Sequence, residues 1–177
     1  MKYRIGCIPV IVVGEKKLYM LSVDRASGDI ADFGGTCIFG QEESALKAKA
    51  SMKSYDYLHT VLKRNEYTSV SLKTPEELST LRFYTVEVDD VKEITDAMDR
   101  NVKNKLGHLE RYKNPNAIFV TGSIVFVTKD GLDRLILGET VEPDYTHEFD
   151  VEGVFSETKP IGTMWKPIRD VLKVFID

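Results

Sequence analysis

Residues 5 to 23 constrain this chain most. The run "IGCIPVIVV" is rich in β-branched side chains, Gly14-Glu15-Lys16-Lys17 is polar, and "LYMLSVD" restores the apolar character. Two such runs around a short polar turn predict a β-hairpin, because branched side chains fit a pleated, half-buried surface. Pro9 has no amide hydrogen to give to a neighbouring strand, so the first strand is expected to be an edge or to carry a bulge. A chain with this hairpin must build a sheet and then cover its apolar faces.

The covering elements are sought in the remaining periodicities. From Glu42 to about Lys63, the positions Ala45, Ala48, Met52, Tyr55, His59 and Leu62 recur at spacings of three and four. That pattern predicts one helix with Ala45, Ala48, Met52 and Leu62 against the sheet and His59 packed on the same stripe. The segment "LRFYTVEV", 81 to 88, reads as a strand. Asp89 or Asp90 then caps a helix that turns Val91, Ile94, Met98 and Val102 inward and stops near Gly107. Farther on, "AIFVTGSIVFVT", the turn Lys129-Asp130-Gly131 and "DRLILG" predict a second hairpin. The acidic stretch from Glu139 to Glu157 reads as loop with one short strand. Trp165, partly buried, and Pro167 open a last helix with Ile168, Val171, Leu172, Phe175 and Ile176 on its apolar face. Interleaved helices and strands place the chain in the α/β (α+β) class.

Composition bounds the function. With 177 residues, 42% apolar and 29% charged, the chain suits a single domain over residues 1–177 with a core of its own. No apolar run approaches the roughly 18 to 20 residues of a membrane span, and no secretion signal is expected. Cys7 and Cys37 form neither a disulfide framework nor a metal motif, which suits a reducing compartment, so a cytoplasmic location is expected. A net charge of -4 does not advertise nucleic-acid binding; the basic run "RNVKNKLGHLERYK", 100 to 113, is the local exception. His108 and His147 have no partner at metal-ligand spacing.

The stretch "GDIADFGGTCIFGQEESALKAKASMKSYDYL", 28 to 58, follows the hairpin with Phe-Gly-Gly, a Gly-Gln-Glu-Glu loop and a helical run, and "ETKPIGTMWKPIRDVL" comes much later. Together these features resemble the Nudix superfamily over about residues 1 to 60 and 154 to 177. Residues 64–153 are divergent or inserted relative to that family. The resemblance implies a Nudix-like alpha/beta/alpha sandwich with a mixed sheet. It also shows what is missing. With Gly35 as the first glycine of the family's box, Gln41 takes the first glutamate, Lys49 and Ala50 take the Arg-Glu pair, and Lys53 and Ser54 take the Glu-Glu pair. Asp56 then stands where a glycine belongs. A shifted register from Glu43 puts Ser51 and Met52, then Tyr55 and Asp56, at those positions. Family members use the helix glutamates to hold magnesium or manganese, and neither register supplies that carboxylate set.

The resemblance therefore implies a degenerate, non-hydrolytic protein: a structural or ligand-binding module, expected to be a homodimer, with no resident cofactor. Candidate ligand-binding residues are Gly34 and Gly35, whose backbone amides could cradle phosphate, and Lys49 and Lys53, four apart on one helix face. A nucleotide or phosphate is the expected ligand. One alternative is an unorthodox hydrolase of nucleoside diphosphate derivatives, with magnesium held by Glu42, Glu43, Asp56 and Glu157. The other is a nucleic-acid-associated protein acting through residues 100–113.

Overall fold

In the computed structural model, which describes residues 1–151 and 159–176, the hairpin forms as its sequence predicts. Strands β1 (Lys2–Val13) and β2 (Lys16–Asp24) run antiparallel from Val13↔Lys16 to Val10↔Tyr19. Gly14 closes the turn at φ +62°, a left-handed conformation that costs glycine little. The strand carrying Pro9 is central, contrary to expectation. On one side β1 pairs in parallel with β6 (Glu77–Glu87) from Lys2 to Val12. On the other side its partner changes: β4 (Phe33–Cys37) pairs with Tyr3 to Cys7, and β2 takes over only at Val10. Pro9 falls in the gap between those partners. The Lys2 amide and the Val12 carbonyl both bond toward the β6 side. Backbone groups alternate along a strand, so odd positions face the other side, and the hydrogen that Pro9 lacks would have had no acceptor.

The sheet is mixed and has the order β5-β6-β1-β2-β7-β8, where β5 is Tyr67–Lys73, β7 is Thr121–Val127 and β8 is Tyr145–Glu148. The two-residue strand β3 (Ile30–Ala31) pairs with β2 at Ser22↔Ala31 and Val23↔Ile30, beside β4 on β1. Period-two alternation gives the sheet two buried faces. Ile5, Cys7, Ile11, Met20, Tyr84, Ile124 and Phe126 belong to one core, whereas Ile8, Leu21, Val23, Phe83, Val125 and Val127 belong to the other. Helices α1 (Glu42–Lys53), α2 (Leu58–Arg64) and α3 (Lys92–Leu106) cover the first face. Helices α5 (Lys129–Ile136) and α6 (Lys166–Ile176) cover the second. A single-turn helix, α4 (Pro115–Ile118), leads into β7. The chain is thus an α+β protein with a mixed sheet between helical layers, as its alternating pattern predicts. Among the described residues, no helix is long and apolar enough to cross a membrane.

Three local expectations need correction. The helix expected over 42–63 is two helices, with Leu46, Ala50 and Ser51 buried in α1 and Leu58 and Val61 in α2. Of the expected stripe, Ala45 and Leu62 pack partly buried against this core, while Ala48 and His59 are exposed. Alanines at 45, 48 and 50 spread small apolar surface around the helix, so their spacing does not define one phase. The break is a left-handed cap. Tyr55 takes φ +51° and Asp56 φ +68°, while the Asp56 amide reaches back to the Ser51 carbonyl at 2.6 Å. The second predicted hairpin is β7 followed by α5. Lys129-Asp130-Gly131, read as a turn, is the first turn of α5, and the Thr128 hydroxyl caps it by accepting the Gly131 amide at 3.2 Å. Leu132, Leu135 and Ile136 lie three and four apart and are fully covered, a helical face worth about 1.5–3 kcal/mol per side chain.

Helix α3 keeps its predicted inner face and end, with Val91, Ile94, Met98 and Val102 buried and Gly107 closing it. Its N-cap is Val91, without a side-chain cap bond, rather than the expected aspartate, and Asp90 just before it accepts the Lys92 amide. The short strand expected in the acidic stretch is β8. Trp165 precedes α6 directly, and its carbonyl accepts the amides of Ile168 and Arg169. Phe175 of α6 stacks on Phe83 at 4.5 Å between ring centroids.

Candidate functional site

The parting of β1 from β2 makes room for chemistry. Where β4 lies along β1, backbones approach so closely that a side chain on Gly34 would place its Cβ 2.3 Å from the Gly6 Cα and the Ile5 carbonyl. A Cβ on Gly6 would fall 1.8 Å from a carboxylate oxygen of Asp32. Glycine at position 6 leaves the space through which Asp32 reaches Arg4. Their hydrogen bonds measure 2.8 and 2.6 Å, with Asp32 fully covered and the Arg4 side chain 6% exposed. Burial works to lower the pKa of Arg4, and the Asp32 charge and hydrogen bond more than reverse it, so the guanidinium stays charged. Burial, and then the Asp32 charge, push the neighbouring Cys7 thiol well above its ordinary value, which keeps it an unreactive core group.

A cleft of about 220 Å³ opens above this ion pair, lined by Arg4, Ser22, Asp24, Asp29, Lys53 and Trp165 among others. Its walls come from the β2–β3 loop, the C-terminal end of α1, the start of β7 and the segment before α6. Trp165 is 41% exposed and lies over the Arg4 guanidinium, 5.4 Å from charge to ring. The Trp165 amide donates to the Ile30 carbonyl at 2.8 Å, tying this wall to β3. Asp24 serves its own turn: one carboxylate oxygen accepts from the amides of Ala26 and Ser27 and from the Ser27 hydroxyl.

Lys53 is half-buried and donates to the Gly34 carbonyl. Burial lowers its pKa; Asp32 opposes that shift and Arg4 adds to it. A desolvated ammonium beside open space favours an anion.

The four sequence candidates meet, but not as a phosphate cradle. Lys49 lies over Gly35 and donates to the Thr36 carbonyl. Gly35 is paired with Ile5 and Gly34 with Gly6 in the β1–β4 ladder, so these glycines serve backbone approach. Of the four, Lys53 alone is among the residues lining the cleft. A Cβ on Gly34 would meet backbone and one on Gly35 the flexible stem of Lys49. Gly34→Ala is therefore expected to cost about 1–3 kcal/mol by overpacking, and Gly35→Ala markedly less, as read by urea unfolding. Equal costs would contradict this account of Gly34.

The alternative metal carboxylates do not converge. Glu42 accepts the Gly40 amide at 3.1 Å, Glu43 pairs with Arg82, and Asp56 pairs with Lys105 at 2.9 Å. Glu157 lies outside the described residues. Among those residues, no three His, Cys, Asp or Glu side chains are placed to share a metal ion. The basic run 100–113 forms the end of α3 and a following 3-10 turn, with Arg100, Lys103, Arg111 and Lys113 exposed. His147 bonds Asp99 at 2.8 Å, joining β8 to α3.

Sequence reading passed over Arg4, Asp29 and Asp32. A cation inside an apolar strand and an aspartate before a double glycine were the available signals, since unpaired charge is rarely buried. No protein-family model matches this chain, and no curated protein matches it.

Proposed function

We propose that this chain is a Nudix-like protein that binds a nucleotide and does not hydrolyse it. Lys53 carries the reading. In the register that starts at Gly35, Lys53 stands on one of the family's metal-binding glutamates, and its half-buried ammonium lines the cleft. A cation there repels magnesium and attracts the ligand's phosphate directly. Asp56 supports the same register, because it stands where the family has glycine and holds φ +68°, a left-handed position that aspartate tolerates better than most residues. Trp165 offers an exposed aromatic face for the base, and base–aromatic stacking is worth about 1–3 kcal/mol. The cleft is smaller than drug-sized pockets of about 300–1,000 Å³, so it suits a ring with one anionic group.

Nucleoside monophosphates are expected to raise the melting temperature equally with and without magnesium, and Lys53→Met to remove the effect. The affinity is also expected to fall as pH rises through the lowered Lys53 pKa, below the 10.5 of an ordinary lysine, because the ammonium is then lost. Chromatography of nucleotides incubated with magnesium or manganese should show no turnover near the roughly 1–1000 per second of enzymes. Magnesium-dependent turnover lost in Glu42→Gln or Glu43→Gln would replace this reading with the hydrolase. The same resemblance implies pairing of two copies, for which the exposed edge strand β5 is available; sedimentation velocity tests it.

A further inference from the structure

The cleft holds a second selective group. Asp29 is half-buried on the wall beside Trp165, and its carboxylate makes no hydrogen bond or ion pair with any described residue. Its neighbour Asp24 is occupied by the turn, as described above. A carboxylate accepts only, through two oxygens side by side. With no protein donor on either oxygen, the carboxylate is free to accept from a ligand that brings two adjacent donors into the cleft.

We infer that the cleft selects guanine among the bases, with both Asp29 oxygens accepting from the base's Watson–Crick edge while its ring stacks on Trp165. The inference rests on the nucleotide-binding reading. Guanine presents N1–H beside the N2 amino group, two donors in a row. Adenine and cytosine each place a ring-nitrogen acceptor beside their amino group, which would face one Asp29 oxygen and repel it. Uracil offers one N–H between two carbonyls. Hypoxanthine keeps N1–H and lacks the amino group, so it should fall between guanine and adenine. A bidentate pair of this kind discriminates by roughly ten- to a hundredfold.

The chain has one tryptophan, so its emission reports directly on the proposed stacking partner. Titration with GMP, IMP, AMP, CMP and UMP is expected to quench it at concentrations that rise in the order GMP, IMP, then the other three. Asp29→Asn should bring GMP to the level of AMP. Equal quenching by all five would overturn the guanine inference and leave nucleotide binding in place. No quenching by any of them, with no thermal stabilisation, would overturn the nucleotide reading as well. A GMP preference that survives in Asp29→Asn, at unchanged melting temperature, would overturn the role of Asp29. Should that variant fail to fold, the wild-type series decides selectivity, and Asp29→Ser repeats the test of the residue.

Discussion

Asp32→Ala is expected to remove about 3–5 kcal/mol of stability, because it strands the Arg4 guanidinium in a covered site. The carboxylate is fully covered and meets Arg4 through two hydrogen bonds, 2.8 and 2.6 Å. Arginine cannot escape by losing its proton. Urea unfolding reads the loss as a fall in midpoint at unchanged slope. The pair itself has a smaller net worth, since two desolvated charges only partly recover their hydration. The double variant Arg4→Met with Asp32→Leu is accordingly expected to lie much closer to wild type than either single change. Gly6→Ala should disturb the same pair from the side, and its cost should not add to that of Asp32→Ala, because both remove one interaction. A loss below about 1 kcal/mol in Asp32→Ala would mean that water reaches Arg4 and that the cleft floor is wet.

Tyr55→Ala is expected to cost about 3–5 kcal/mol, the range for emptying a buried aromatic site. Tyr55 is fully covered, packs edge-on to Phe149 at 4.8 Å and near Phe119 at 6.1 Å, and donates its hydroxyl to the Thr121 carbonyl at 2.5 Å. Its own carbonyl accepts from Asn101 at 2.6 Å. Tyr55→Phe removes only the hydroxyl and should cost about 1 kcal/mol. Burial pushes the phenol up to about 12, with Arg25 opposing. Because the folded form holds its proton more tightly than the unfolded chain, this contribution is complete below pH 10 and is lost as pH rises toward 12. Alkaline unfolding that begins at the same pH in Tyr55→Phe and wild type would contradict it. Position 55 also bears on the site: it caps α1 one residue beyond Ser54, and so fixes where Lys53 enters the cleft.

Much of the architecture was legible because it is written in local periodicity. β-Branched runs around Gly14 specify β1 and β2, and the spacing of Val91, Ile94, Met98 and Val102 specifies the inner face of α3. The polar turn at Lys129 misled because Lys-Asp-Gly suits both a hairpin turn and a helix's first turn. Only burial of Leu132, Leu135 and Ile136 against the sheet separates those outcomes. The alanines of α1 misled for a related reason, since small side chains distribute little burial energy among competing phases.

The candidate site divides along the same line. From sequence alone came the glycines at 34 and 35 and the lysines at 49 and 53 on one face of α1. None of those facts places a cleft. Lys53, a candidate from the sequence together with Lys49, Gly34 and Gly35, is set apart from them only by the tertiary structure, which puts it on the cleft wall. Trp165, expected to staple a helix, is instead a cleft wall over Arg4. Arg4 and Asp32 are 28 residues apart, and Asp29 and Trp165 are brought together by the Trp165–Ile30 backbone bond. Propensity and periodicity act over a few residues, so they determined the first hairpin, the core of β6, β7 and the inner faces of α3 and α6. Pairing of charges and the shape of a cleft depend on contacts between distant segments, and only the tertiary structure decided those.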